Sequence, residues 1–254
     1  MDERIPDSKA PAIARGAAIL RLLARSDEPL PLQRIARELG LVPSTCLHVL
    51  RALVTEELAT VDGSKRYALG PGLLTFANAW LRRDRFAQGA QPEIERLAAR
   101  FDVTAMGVAI TGLDHIIVVA TAQGAQNLQL SAQVGSRFPA LLSATGRCIA
   151  AFGNHEPAEL ERRFRRLRWD NPPSYGDWMA QVAATRDHGY AVDDGNYIAG
   201  VTVIAAPAWR APGPPTHALV ALGLENSMRR VGIEDVGRAT AQAAQAVSGQ
   251  LGGL

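Results

Sequence analysis

One group of side chains that could contact a nucleic acid follows Pro43. It consists of Ser44, Thr45, His48 and Arg51, whose spacing places them on one side of a helix. Hydroxyl, imidazole and guanidinium groups at the start of an exposed helix can hydrogen-bond base edges and phosphates. This stretch is therefore a candidate reader of DNA.

A second group could hold a small ligand. The turn Ser143-Ala144-Thr145-Gly146 comes directly before a helical pattern. Small residues let backbone N–H groups approach a ligand, and the N-terminus of a helix favours an anion. The stretch is therefore a candidate ligand site.

A third group, His188, Tyr190, Asp193 and Asp194, lies near one turn and could supply acid–base catalysis. The alternative is that the two aspartates cap the turn. The sequence contains no nucleophile elbow, no P-loop and no glycine-rich dinucleotide motif that opens a helix after a strand. We therefore expect a protein that is not an enzyme.

The metal-binding residue types are scattered. The five histidines never stand four residues apart, and the only cysteines, Cys46 and Cys148, lie about a hundred residues from each other. We expect no metal and no cofactor, and we expect both thiols to be buried as small apolar groups.

Composition favours a soluble protein of two domains. The 254 residues are 47% hydrophobic and 20% charged, and no apolar run has the length that spans a bilayer. The polar N-terminus has no signal-peptide pattern, so a cytoplasmic location is expected. Residues 1–90 carry 13 Lys and Arg against 10 Asp and Glu, a weak basic bias compatible with phosphate contacts.

The elements that must position the first group form a familiar series. Residues 11–25, 32–40 and 43–58 have helical periodicity, and 58–70 predict a β-hairpin with a DGS turn. Two short helices joined by a turn with Gly40, then a hairpin, indicate a winged helix-turn-helix. Further candidate DNA contacts stand at the hairpin tip and on the first two helices: Ser64, Lys65, Arg66, Gln33 and Arg15.

The remainder predicts an α+β domain behind a helical connection. A helix is expected over 71–85 and another from about Pro92, which gives three parts: 9–70, a linker helix over 71–90, and 91–254. In the third part, strands are predicted near 106–110, 115–121, 127–134, 190–194, 200–209 and 217–224. Helices lie between and after them, so the economical architecture is one mixed or antiparallel sheet flanked by helices.

Several blocks, in this order, resemble the IclR family of transcriptional regulators. They are IARGAAILRLLA, LPLQRIARELGLVPSTCLHVLRALVTEELA, KRYALGPGLL, LSAQVGSRFPALLSATGRCIAAF and HGYAVDDGNYIAGVTVIAAPAW. The resemblance implies a winged helix-turn-helix, a helical linker and a GAF-like effector domain. It also implies a homodimer or dimer of dimers that binds operator DNA and represses or activates nearby, often catabolic, genes in response to small acids or aromatic metabolites.

The resemblance also implies an effector pocket and shows where this chain departs from the family. The family usually has an arginine where this chain has His48, and small hydroxyl residues where it has Gly223 and Glu225. We therefore expect a rather apolar pocket with acidic groups at Asp193 and Glu225, and an effector with a hydrophobic or aromatic body. The residues that the resemblance places around the pocket are Leu130, Phe138, Ala144, Thr145, Asp193, Val201, Val203, Gly223 and Glu225.

Other interpretations stay open at this point. The polar helix face could be ordinary solvated surface on a ligand-gated adaptor that binds protein instead of DNA, and Phe138, Val201 and Val203 could simply be core. The basic run Glu161–Arg168 could be a second nucleic-acid patch, a subunit contact or the solvated face of an amphipathic helix, which its spacing favours.

Overall fold

The structure, a computed structural model, describes residues 9–125 and 132–252. The chain divides between Arg83 and Asp84 into two compact units. No helix within the described ranges has both the length and the apolar character needed to cross a membrane.

From residue 9 onward, the first unit contains four helices and a small antiparallel sheet in the order β1-β3-β2. Its elements are α1 (Pro11–Ala24), β1 (Leu30–Pro31), α2 (Leu32–Glu38), α3 (Pro43–Thr55), β2 (Ala59–Val61), β3 (Arg66–Leu69) and α4 (Leu73–Arg83). The predicted helix-turn-helix and hairpin are therefore confirmed. β1 was not predicted; it pairs with β3 through Leu30 and Tyr67.

The core of the first unit forms where the apolar faces of its first three helices meet. Ile19, Ile35 and Leu50 are completely buried there. Gly40 ends α2 with a φ of +62°, a left-handed conformation that glycine adopts without steric cost. Side chains on opposite sides of a helix face opposite ways, so packing of the apolar face of α3 leaves its polar face turned outward.

The second unit is a six-stranded sheet with helices on both faces. Every strand pair is antiparallel, in the order β6-β5-β4-β9-β8-β7. Its elements are α5 (Phe86–Phe101), β4 (Thr104–Thr111), β5 (His115–Gln123), β6 (Arg137–Pro139), α6 (Ser143–Phe152), α7 (Pro157–Phe164), α8 (Tyr175–His188), β7 (Ala191–Asp194), β8 (Val201–Ala208), β9 (His217–Leu224), α9 (Glu225–Val231) and α10 (Ile233–Gln250).

The two faces of this sheet pack into separate cores. In β9, Leu219 and Ala221 join a core with α5 and α10. Val220 joins the core on the opposite face, with α6 and α8, and Leu222 packs against it. This alternation follows from the two-residue period of a strand, and it decides which side chains can reach a ligand on the α6 side.

The structure refines three expectations about these elements. The helix expected from Pro92 begins at Phe86, because its buried apolar stripe already starts at Phe86 and Ala90. Pro92 lies inside the helix, where it removes one intrahelical hydrogen bond. Of the two sheet types expected, mixed or antiparallel, the described pairings are all antiparallel. The strand expected over 127–134 lies outside the described residues as far as 131, and residues 132–134 are not in a strand.

Candidate functional sites

The outward face of α3 carries most of the predicted DNA-reading group. Ser44, His48 and Arg51 are exposed, while Thr45 is half-buried. Cys46 and Leu50, on the opposite side, are completely buried. The predicted face is therefore open to a partner. It starts in the first turn of α3, which begins with a proline.

The tip of the wing, which we define as β2, β3 and their turn, is organised by a residue that was not predicted. The Asp62 carboxylate accepts hydrogen bonds from the backbone N–H groups of Ser64 and Arg66, both at 2.9 Å. Lys65 stands between them with a φ of +57°. The three predicted wing residues are exposed, so this turn presents two cations in a fixed backbone frame. The DGS sequence was the available signal for it.

The two predicted phosphate anchors lie on other helices. Gln33 is exposed in the first turn of α2, and Arg15 is half-buried on α1. Arg34, next to Gln33, forms an ion pair with Glu38 at 2.7 Å. The DNA-contact assignments of all these residues remain predictions.

A cavity of about 180 Å³ lies in the second unit between the sheet and α6. Five of the predicted effector contacts line it: Phe138, Ser143, Thr145, Val201 and Val203. Most of the remaining wall is apolar and was not predicted; it includes Met106, Val108, Ile116, Tyr197, Ile198, Val220 and Leu222.

The strongest polar feature of this cavity is Ser143. Its Oγ is buried and has no hydrogen-bond partner within the described part of the chain, and its backbone φ is +59°. Ser143 is the first residue of α6, and the preceding Leu142 supplies no side-chain cap. Backbone N–H groups in the first turn of a helix lack partners within the helix, so an acceptor in the cavity could bind here.

A loop formed by residues 195–200 borders the cavity with Tyr197 and Ile198. Asp193 fixes its start by accepting hydrogen bonds from the N–H groups of Asn196 at 3.0 Å and Tyr197 at 3.1 Å. Its end is held where the N–H of Glu225 donates to the carbonyl of Gly200 at 2.9 Å. Burial raises the pKa of the Tyr197 hydroxyl, with Asp170 adding to the effect.

Asp193 is not an acidic group of the cavity wall, which corrects the expectation. It is completely buried and paired with Arg147, whose Nη1 donates to Asp193 at 2.8 Å. The same guanidinium donates to Gln181 at 2.7 Å and to Asn196 at 2.8 Å. Burial lowers the pKa of Arg147, and the nearby Asp193 opposes that shift. The pair joins α6, α8, β7 and the 195–200 loop.

The other predicted effector contacts lie away from the lining. Ala144 is completely buried in the core beneath α6. Gly223 faces the other side of the sheet, since a side chain there would meet Met228. Glu225 opens α9 and forms an ion pair with Arg229 at 2.8 Å. Leu130 lies outside the described residues.

Two family models match this chain. Residues 12–63 match the IclR helix-turn-helix domain, and residues 79–249 match the C-terminal domain of IclR bacterial transcriptional regulators. The chain belongs to the IclR family. It is thus a transcriptional regulator rather than an enzyme, with DNA binding in the first domain and effector binding in the second.

Individual relatives agree with this assignment. The Pca regulon regulatory protein of Pseudomonas putida is 26% identical over 227 residues, covering 87% of this chain and 75% of that protein. The crystal structure of an IclR regulator from Alicyclobacillus acidocaldarius is 26% identical, with a TM-score of 0.81 over 95% of this chain and 99% of its own. An IclR homologue from Microbacterium hydrocarbonoxydans, complexed with 4-hydroxybenzoate, shares the fold at 20% identity, with a TM-score of 0.78 over 94% and 98% of the chains.

Proposed function

We propose that this IclR-family protein controls a catabolic operon in the cytoplasm and that its effector is a small acid with an aromatic or other apolar body. The observation that carries the proposal is the apolar cavity with a Ser143 hydroxyl, at the start of α6, that has no partner among the described residues.

The shape and lining of the cavity favour an apolar body. An apolar cavity of about 150 Å³ is large enough to hold benzene. The volume here, about 180 Å³, leaves room for one ring with a small substituent. The opposing walls carry Val203, Val220 and Leu222 from the sheet and Phe138 from β6. A two-carbon or three-carbon acid would leave most of this apolar surface without contacts.

The start of α6 favours a carboxylate. The helix N-terminus has a partial positive charge, and its first N–H groups are available as donors. The hydroxyl of Ser143 adds a further donor that is already removed from water. The bound 4-hydroxybenzoate of the Microbacterium homologue supports the same ligand class.

For the DNA-binding unit, we propose that the α3 face contacts the major groove and the wing contacts the sugar–phosphate backbone. Ser44, His48 and Arg51 would contact bases and phosphates, while Lys65 and Arg66 would contact phosphates. The support is that all five side chains are exposed and that buried apolar residues fix the orientation of α3.

We further propose that α4 mediates association of two copies. α4 contains no buried residue, although it is strongly apolar on one side. Leu74 and Phe76 are 64% and 65% exposed, and Trp80 and Leu81 are 44% and 39% exposed. Helical spacing places these four side chains on one arc, opposite Thr75, Asn78 and Arg82. A second copy of the same helix would cover them, and a dimer suits an operator with two half-sites.

Thermal unfolding of the full chain with a panel of probes tests the effector proposal. Benzoate and 4-hydroxybenzoate should raise the unfolding temperature, whereas glyoxylate, pyruvate and uncharged benzyl alcohol should not. The Ser143→Ala variant should lose most of the response, and Ser227→Ala, outside the cavity lining, should keep it. Stabilisation by glyoxylate or pyruvate alone would reject the apolar-body proposal.

A gel-shift assay with the DNA upstream of the protein's own gene tests the operator proposal. We expect a salt-sensitive complex that random duplex DNA does not form, because base contacts add to phosphate contacts only at the operator. The benzoate that stabilises the protein should change the affinity of this complex. Equal binding to operator and random DNA, with and without benzoate, would contradict a regulatory role.

A further inference from the structure

A buried acid–imidazole pair lies within the second unit at the start of its chain, a place that we call the junction. Asp84 is the first residue of the second unit and is only 5% exposed. His217 opens β9 and is 3% exposed. Its Nε2 lies 3.0 Å from Oδ2 of Asp84. The two residues are 133 positions apart in sequence, so this contact ties the entry of the unit to its central sheet.

The pair also fixes the first turn of α5. Oδ1 of Asp84 accepts a hydrogen bond from the N–H of Phe86 at 3.0 Å. The Phe86 ring stacks on the imidazole with centroids 4.0 Å apart. The ring also packs so closely against Gly107 that a Cβ there would come within 2.9 Å of it.

The remaining neighbours determine the state of the imidazole. Because a carboxylate only accepts, Nε2 of His217 carries the proton, and Nδ1 accepts from the hydroxyl of Thr216 at 2.9 Å. Arg210, which follows β8, lies 3.9 Å from Asp84. The polar atoms of both partners are therefore satisfied, and the contact has a single defined geometry.

β9 connects this pair to the cavity. Val220 and Leu222 line the cavity three and five residues after His217, which is about 10–17 Å along a strand. The neighbouring β8 also contributes to both places, since Val201 and Val203 line the cavity and Arg210 follows its end. A ligand that presses on these strands thus acts on elements that hold Asp84.

We propose that Asp84 and His217 are positioning residues that convey occupancy of the cavity to the junction with the DNA-binding unit. This inference rests on the proposed function only in taking the cavity as the effector site. Neither residue lines the cavity, and neither belongs to the proposed DNA surface.

Amide hydrogen exchange on the full chain tests the proposal. The compared peptides cover residues 84–90 at the junction and 140–146 at the cavity, with and without 4-hydroxybenzoate. In the wild type, occupancy should change exchange in both peptides. In His217→Leu the response at 140–146 should remain, whereas 84–90 should exchange about tenfold faster, the factor for one lost hydrogen bond, and should no longer respond. His217→Gln, which keeps an N–H donor, should behave as the wild type.

A second arm makes the test independent of the ligand. Val203→Phe fills the cavity from its wall. It should alter exchange at 84–90 in a chain that keeps His217 but not in one that also carries His217→Leu. If the larger side chain prevents folding, Val203→Leu replaces Val203→Phe. If His217→Leu does not fold, Asp84→Ala replaces it. If 4-hydroxybenzoate leaves 140–146 unchanged, the proposed ligand class has failed, and the filled cavity alone decides the inference. The inference is overturned if filling the cavity leaves exchange at 84–90 unchanged in the wild type, or if it still changes that exchange in His217→Leu.

Discussion

Ser143 combines two features that a purely structural serine does not need. Its hydroxyl is buried without a partner in the described part of the chain, and its backbone adopts a left-handed conformation that costs a non-glycine residue roughly 1–2 kcal/mol. Neither feature stabilises the free protein. Both are explained if the residue holds a ligand group at the start of α6.

We predict that Ser143→Ala and Ser143→Gly weaken benzoate binding equally, by about tenfold or more. Both remove a hydrogen bond to a charged group, which is worth about 1.5–3 kcal/mol. They should differ in stability, because only alanine retains the strained Cβ, and glycine should therefore be more stable by about 1 kcal/mol. Calorimetric titration measures the first effect and urea unfolding the second. If binding strength followed stability across the two variants, the hydroxyl would have no direct role.

Lys65 allows a charge to be removed without disturbing the wing. Asparagine tolerates its φ of +57°, so Lys65→Asn should leave the turn around Asp62 intact. We predict that the slope of log K against log salt for operator binding falls by about 0.9, the value for one lost phosphate contact. Anisotropy titrations at several salt concentrations give this slope. Arg230→Gln, an exposed cation in the second unit, is the matched control and should leave it unchanged.

The 195–200 loop depends on a buried charge network rather than on regular secondary structure. Arg147 uses three separate N–H groups on Gln181, Asp193 and Asn196. We predict that Arg147→Lys destabilises the protein by roughly 3 kcal/mol, because an ammonium group cannot reproduce the planar fork and the carboxylate stays buried. Urea unfolding measures the loss.

The double variant Arg147→Met/Asp193→Leu separates charge from packing. It removes both charges, so it should be more stable than Arg147→Met alone. Its loop should nevertheless be loosened, because Asn196 and Tyr197 lose the acceptor for their N–H groups. A single variant as stable as the double one would show that the buried pair does not act as a unit.

The exposed face of α4 predicts an oligomer that can be dissociated. Phe76→Asp/Trp80→Asp places two charges in the apolar arc and should shift the protein to monomers in sedimentation velocity, since a charge cannot be buried there without a partner. Thr75→Asp/Asn78→Asp adds the same charge to the opposite side and should leave the assembly intact. Equal dissociation of both pairs would point to net charge rather than the apolar face.

Local sequence patterns predicted the elements better than the cavity. The α2–Gly40–α3 turn and the wing follow from nearby residues, so they were predicted almost to the residue. The cavity wall was missed at Met106, Val108 and Val220 because a strand buried on both faces is apolar throughout and shows no alternation. Asp193 was misassigned because its partner, Arg147, lies 46 residues away, and no local pattern reveals such a pair.

At the scale of the whole molecule, DNA binding and effector binding belong to two units with separate cores. The α3 face and the wing belong to the first unit, and the cavity belongs to the second. An effector can therefore alter DNA binding only by its difference in affinity between two states of the chain. A tenfold change in operator affinity requires a difference of about 1.4 kcal/mol, which one hydrogen bond at the junction can supply.

The stability of the whole chain should also depend on pH through His217. Burial lowers the pKa of this imidazole; Asp84 opposes the shift and Arg210 adds to it. The unfolded chain, with an ordinary histidine pKa of about 6.5, then binds more protons than the folded chain below that pH. Titration of His217 therefore costs no stability above pH 6.5. Below that pH it lowers the free energy of unfolding as the pH drops toward the lowered pKa, by at most about 1.4 kcal/mol per pH unit.

We predict that the free energy of unfolding of the wild type is lower at pH 5.5 than at pH 7.5 and that His217→Gln shows a shallower decrease. Part of the decrease should persist, because burial and Arg163 also lower the pKa of His155. Urea unfolding at both pH values measures it, followed by tryptophan fluorescence, to which Trp169, Trp178 and Trp209 contribute from the second unit and Trp80 from α4. His188→Gln is the control, since this histidine lies in α8 and takes no part in the contact between Asp84 and His217. An unchanged pH dependence in His217→Gln would mean that the imidazole at the junction does not titrate differently in the folded and unfolded chains.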